Sequence, residues 1–160
     1  AIPMGNNADE IVPGLWLGNF QASNDEVFLR ANGIKTVFNC TKDLPFHPMV
    51  QTRYRVPVDD NLQADEIRNL ELWSYEVIYL LVREFKKGDP ILVHCAAGMQ
   101  RSAAVTAMFL IATRNMNWNQ AYRHIRQRRS IAFFPSANFE KAILGFYQSF
   151  QKDILQREGV

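Results

Sequence analysis

The segment Pro90-Ile91-Leu92-Val93-His94-Cys95-Ala96-Ala97-Gly98-Met99-Gln100-Arg101-Ser102-Ala103-Ala104-Val105 decides how this chain folds. Residues 91–93 form a short apolar run suited to a strand buried on both faces. Residues 102–114 are apolar on most sides, which suits a central helix. If the strand delivers Cys95 and the helix begins near Ser102, the intervening peptide N–H groups can curl around one centre. The unpaired N–H groups of the helix's first turn join them. Such a cradle binds a tetrahedral dianion. Gly98 permits the backbone angle a tight loop needs, and Arg101 offers a planar fork that holds two phosphate oxygens at once.

The same field acts on the sulfur. A thiol facing convergent N–H groups at a helix N-terminus has its pKa lowered, typically to roughly 3.5–7.5. Ser102 is placed to hydrogen-bond the thiolate, and His94 to orient the loop through its ring nitrogens. The bland alternatives are a cysteine that merely fills core space or one that binds zinc. Cys40, His47 and His124 lack ligand spacing, so no metal and no cofactor is expected.

Working outward, Pro13 and Gly14 precede Leu15-Trp16-Leu17, a turn entering a short edge strand. Asn24-Asp25-Glu26 caps a helix that stops at Asn32-Gly33. Residues 34–40 read as a buried strand, and residues 53–58 alternate as a half-buried one does. Ile67, Leu70, Trp73, Val77, Leu81 and Phe85 recur at helical spacing over residues 65–87. Helices are expected over 119–128 and 136–155, with Ser136 as an N-cap. This order implies a single α/β domain with a mostly parallel central sheet flanked by helices. The phosphate-binding loop lies between a strand and the central helix, beyond the carboxyl ends of the strands, where ligands bind in such sheets.

With 160 residues, 48% hydrophobic and 21% charged, the chain describes one domain. Its expected extent is residues 11–155, with tails at 1–10 and 156–160. A net charge of +2 does not by itself suggest nucleic acid. The apolar runs are too short to span a bilayer. Two cysteines make no disulfide framework, and no secretory pattern opens the chain. The expected setting is intracellular, in cytoplasm or nucleus.

His94-Cys95-x-x-Gly98-x-x-Arg101-Ser102 resembles the signature of the cysteine-dependent protein phosphatases, specifically their dual-specificity branch. Ile11-Val12-Pro13-Gly14-Leu15-Trp16-Leu17-Gly18 resembles that family's first strand, and Gly33-Ile34-Lys35-Thr36-Val37-Phe38-Asn39 its second. Val56-Pro57-Val58-Asp59-Asp60-Asn61 is similar to the segment bearing its general acid. The resemblance implies a phosphatase in which Cys95 attacks phosphorus and Arg101 holds the equatorial oxygens. Ala96, Ala97, Gly98, Met99 and Gln100 bind phosphate through their backbone, and an acid protonates the leaving oxygen. Asp59 and Asp60 are both candidates for that acid; the resemblance places it on Asp60. The acid precedes the cysteine, unlike the order in the low-molecular-weight phosphatases.

None of Ala96, Ala97, Met99 and Gln100 is basic, whereas relatives acting on inositol lipids tend to carry lysines there. Relatives acting on RNA 5′-triphosphates have a second His and an Asn in the loop. A phosphorylated protein is therefore the implied substrate, carrying phosphotyrosine and phosphoserine or phosphothreonine. An inositol lipid, an RNA 5′-phosphate or a catalytically weak phosphate-binding module is the alternative, and a sulfur-transfer enzyme is disfavoured by His94 and the upstream acid. Arg123, Arg126, Arg128 and Arg129 form a basic set, either a solvated helix face or a docking site for a second phosphate. Cys40 closes a strand that ends near Cys95. It is either a structural cysteine or the partner in a reversible disulfide. Gln100 and Ser136 stand where relatives often carry Ser and Asn.

Overall fold

A computed structural model describes residues 5–158. Strand β1 (Ala8–Val12) turns at Pro13-Gly14 into β2 (Leu15–Gly18), and the two pair antiparallel. Two short helices, α1 (Phe20–Ser23) and α2 (Glu26–Ala31), lead to β3 (Thr36–Asn39) and β4 (Thr52–Arg55). Helix α3 (Ala64–Lys86), strand β5 (Ile91–His94) and helices α4 (Arg101–Arg114), α5 (Trp118–Arg128) and α6 (Glu140–Glu158) complete the chain.

The sheet order is β1-β2-β5-β3-β4, and every pairing except β1–β2 is parallel. The cysteine-bearing strand is thus central, with Leu92 opposite Trp16 on one side and Val37 on the other. Alternation along the strands divides the core in two. Leu15, Leu17, Phe38, Ile91 and Val93 face the layer containing α3, α4 and α6, whereas Val37 and Leu92 join Leu29 and Ile34 beneath α2. Each fully buried aliphatic or aromatic side chain of this kind contributes about 1.5–3 kcal/mol. Residues 102–111 of α4 are buried without exception, as expected of a helix apolar on all sides.

Several boundaries differ from the sequence expectation. Ala8, Asp9 and Glu10 lie in the stretch read as a tail, yet they extend the sheet, because the turn at Gly14 (φ +90°) folds them back onto β2. At the other end α6 runs through 156–158 of the expected tail; residues 159 and 160 lie outside the described residues. Asp25 caps α2 by accepting from the Phe28 N–H at 3.1 Å. Helix α3 follows Gln63 without a side-chain capping bond, and Asp65 and Glu66 supply acidic residues to its first turn. Helix α6 begins at Glu140, so Ser136 is not its N-cap. Among the described residues no helix is long and apolar enough to cross a membrane.

Candidate active site

The loop between β5 and α4 is held open by what lies outside it. Six consecutive carbonyls, from Cys95 to Gln100, accept hydrogen bonds from donors around the loop. His94 Nδ1 meets the Cys95 carbonyl at 3.1 Å, and the Phe20 N–H meets Ala96 at 3.0 Å. The Arg129 guanidinium donates to Ala97 at 3.2 Å and to Gly98 at 2.8 Å. The Phe133 N–H meets Met99 at 2.7 Å, and the Ala104 N–H meets Gln100 at 2.8 Å within the helix. Each peptide plane points its N–H opposite to its C=O. Carbonyls turned outward therefore turn the N–H groups of residues 96–101 inward. Such an arrangement is able to hold a tetrahedral anion.

Gly98 is required twice over. Its φ is +67°, and a Cβ there would fall 2.5 Å from the Gly18 carbonyl carbon and oxygen. The loop thus rests backbone against backbone on the end of β2.

Cys95 is 2% exposed, and its Sγ lies 3.0 Å from Ser102 Oγ. Burial opposes ionisation, but the Ser102 hydroxyl and N–H, the Arg101 charge and the Gly98 N–H together outweigh it. The thiol pKa lies below its ordinary value. His94 is fully buried, and desolvation lowers its pKa to about 4, so the ring is neutral near pH 7. Facing a carbonyl, Nδ1 carries the proton. Arg101 donates through one terminal nitrogen to the Val58 carbonyl at 2.9 Å, while its buried Nε has no partner among the described residues.

Asp59 and Asp60 part company here. The Asp59 carboxylate pairs with Lys42 at 3.2 Å, and its N–H donates to Glu66 at 3.0 Å. Lys42 also reaches Glu66 at 2.7 Å, which holds the Glu66 carboxyl below its usual pKa. Asp60 instead lines one cavity of about 300 Å³ with Cys95, Arg101, Met99, Phe134 and Asn138. A neighbouring cavity of about 380 Å³ shares Asp60 and Arg101 and takes in Asp59 and Asp43. A larger groove, about 600 Å³, runs between α3 and α6 and contains no nucleophile. Among the described residues no three His, Cys, Asp or Glu side chains gather as a metal site requires.

The basic set does not survive as a surface. Arg129 is 1% exposed, pairs with Asp9 at 2.9 Å and donates to the Asn6 carbonyl at 2.7 Å. Arg126 is engaged with the Tyr122 hydroxyl and the Ser130 carbonyl. Arg123 and Arg128 remain exposed. Sequence reasoning therefore missed that Arg129 braces the loop. Nothing local marks it, because its partners lie 31 to 123 residues away. Gln100 and Asn138 were also unread as a pair: Gln100 Oε1 accepts from the Asn138 N–H at 2.9 Å, and Asn138 Nδ2 donates to Asp60 at 2.9 Å.

The family described as "Dual specificity phosphatase, catalytic domain" matches residues 15–149. Over 138 residues the chain is 33% identical to dual specificity protein phosphatase 2 of Homo sapiens, covering 86% of this chain and 42% of that protein. It is also 33% identical over 141 residues to dual specificity protein phosphatase Mpk3 of Drosophila melanogaster, covering 86% and 33%. The chain thus spans less than half the length of these relatives. The crystal structure of DUSP15 superposes with a TM-score of 0.80 at 26% identity, over 96% of this chain and 95% of that one. Human DUSP28, at 24% identity, shares the fold with a TM-score of 0.81 over 94% and 99%. The matched residues run from β2 into α6 and take in the cysteine loop, the Asp59-Asp60 loop and the 129–139 segment; the chain belongs to the dual specificity phosphatase catalytic-domain family.

Proposed function

We propose that this chain is a metal-independent phosphoprotein phosphatase that hydrolyses phosphotyrosine and phosphoserine or phosphothreonine through a cysteinyl-phosphate intermediate. One observation carries the reading: a cysteine of lowered pKa lies beneath six inward-turned N–H groups, in the same cavity as Arg101 and Asp60. Cys95 thiolate attacks phosphorus in line, forming the S–P bond as the P–O bond breaks. The N–H groups of residues 96–101 and Arg101 stabilise the equatorial oxygens. Asp60 gives its proton to the leaving oxygen, then takes one from the water that hydrolyses the intermediate. Ser102 supports the sulfur as it leaves.

Asp60 is preferred over Asp59 because Asp59 is committed to Lys42 and lines only the neighbouring cavity. The catalytic unit is residues 11–155 together with the rest of β1. Phosphoprotein is preferred as substrate because the loop side chains carry no charge beyond Arg101 and because the relatives named above are protein phosphatases. An intracellular setting is the proposed one, since two cysteines are too few for the disulfide framework of a secreted domain.

The test is hydrolysis of an aryl phosphate in the presence of chelator. Wild-type protein should turn over and Cys95→Ser should not, while Asp60→Ala slows turnover by about 10²–10⁴-fold on poor leaving groups. Activity that survives Cys95→Ser would overturn the proposal.

A further inference from the structure

Gln100 belongs to the phosphate loop, but its side-chain amide is spent on another segment. Its Nε2 donates to the Phe134 carbonyl at 3.0 Å and to the Ser136 carbonyl at 2.8 Å, while Oε1 accepts from the Asn138 N–H at 2.9 Å. Two carbonyls on one side and an N–H on the other permit a single orientation of the amide. Gln100 is 6% exposed, so these bonds are partly shielded from water. The segment it grips has neither helix nor strand to hold it. From that segment Asn138 Nδ2 reaches Asp60 Oδ1 at 2.9 Å. The other ties of the acid loop act on its neighbours: Arg101 on the Val58 carbonyl, and Lys42 and Glu66 on Asp59.

We propose that Gln100 and Asn138 are positioning residues for the general acid: Gln100 clamps residues 134–138 onto the phosphate loop, and Asn138 orients the Asp60 carboxyl from there. This rests on Asp60 being the acid. An amide N–H can only donate, so Oδ1 is kept as an acceptor and the transferable proton is carried on Oδ2. The loop that binds the phosphate thereby sets the direction from which the leaving oxygen is protonated. It does so through two amides and no charge.

The consequence is selective. A serine or threonine alkoxide leaves poorly and needs its proton in the transition state, whereas the anion of an acidic phenol scarcely does. Kinetics of Asn138→Ala, Gln100→Leu, Asp60→Ala and Asn138→Ala/Asp60→Ala on a phosphoserine peptide and on an acidic-phenol ester separate the cases. The ratio of kcat/KM on the peptide to that on the ester should fall about tenfold in Asn138→Ala and in Gln100→Leu. In Asn138→Ala, inhibition by inorganic phosphate should move far less than this ratio.

In the Asp60→Ala background, removing Asn138 should change the ratio no further, because the effect runs through that carboxyl. Equal losses on both substrates, or a loss that persists without Asp60, would overturn the positioning role. If Asp60→Ala itself slows both substrates alike, the acid assignment falls and this proposal with it. If Asp60→Ala is selective and Asn138→Ala is not, the positioning role alone is wrong. Asn138 is only half-buried, so its variants keep the test available should Gln100→Leu fail to fold.

Discussion

The phosphate loop, residues 95–101, and the segment 129–139 bracing it are joined by Arg129, Phe133 and the Gln100 amide. The loop announces itself in the sequence, because its chemistry needs particular residue types at fixed short spacing. The segment announces nothing, although it supplies donors to the Ala97, Gly98 and Met99 carbonyls and the only residue seen bonded to Asp60's carboxylate among those described here. An anion cradle therefore has two halves. The inner half is a pattern of N–H groups, and the outer half is whatever fixes the carbonyls behind them.

The strongest way to break this comparison is to remove Arg129. Arg129→Leu removes the ion-pair partner of the half-buried Asp9 and leaves two loop carbonyls unpaired, so unfolding free energy should drop by about 3–5 kcal/mol. Chemical denaturation measures it. A loss under about 1 kcal/mol would reduce the segment to passive covering.

His94 tests the inner half by pH. Its pKa in the folded protein is about 4, against an ordinary 6.5, so the unfolded chain binds the extra proton between those values. Stability should be fully present above pH 6.5 and decline by about 3 kcal/mol as pH falls to 4. In His94→Asn that decline should be shallower by a similar amount; identical curves would remove His94 from the account.

Gly98→Ala forces a side chain against the Gly18 backbone at a positive φ. Misplacing the N–H groups by an ångström should cut kcat/KM for an aryl phosphate by about 10²-fold. Near-normal turnover would show that the loop tolerates a shift the geometry forbids.

Oxidation sharpens the comparison from the strand side. Cys40 directly follows Asn39, whose register partner is His94, and its N–H bonds the His94 carbonyl at 2.8 Å; neighbouring strands lie roughly 4.8 Å apart, within the range a disulfide bridges. Burial, then the nearby Cys95 charge, raises the Cys40 pKa, so Cys40 is held as a thiol. Peroxide should convert Cys95 to a sulfenic acid, which condenses with Cys40 to a disulfide and water. Peptide mapping that finds Cys95 oxidised and no Cys40 linkage would refute this.

The smallest effect is expected at Arg128, exposed where Arg129 is buried. Arg128→Ala should change stability by no more than about 0.5 kcal/mol. It should also leave KM for a doubly phosphorylated peptide in step with that for an aryl phosphate. A selective rise in KM would restore the docking reading to Arg123 and Arg128.

Much of the fold was legible for ordinary reasons. The apolar residues 91–93 read as a doubly buried strand, and they form the centre of the sheet. Residues 102–114 read as a central helix, and the observed start differs by one residue. What misled was composition without context. Ala8, Asp9 and Glu10 look like tail because one face of an edge strand need not be apolar. Residues 136–139 look like helix, but Ser136 and Asn138 give their backbone groups to Gln100 instead, so α6 starts later.

Taken alone, the residues from Cys95 to Ser102 determined an activated sulfur, an anion cradle and a guanidinium fork, since each depends on local spacing and backbone polarity. Only tertiary structure decided that Asp60 and not Asp59 shares the cysteine's cavity, that Arg129 is a buried brace and not a surface charge, and that Gln100 and Asn138 connect loop to acid. Those outcomes depend on which distant groups are brought within hydrogen-bonding distance, and long-range packing, unlike spacing along the chain, is not written in any short stretch of it.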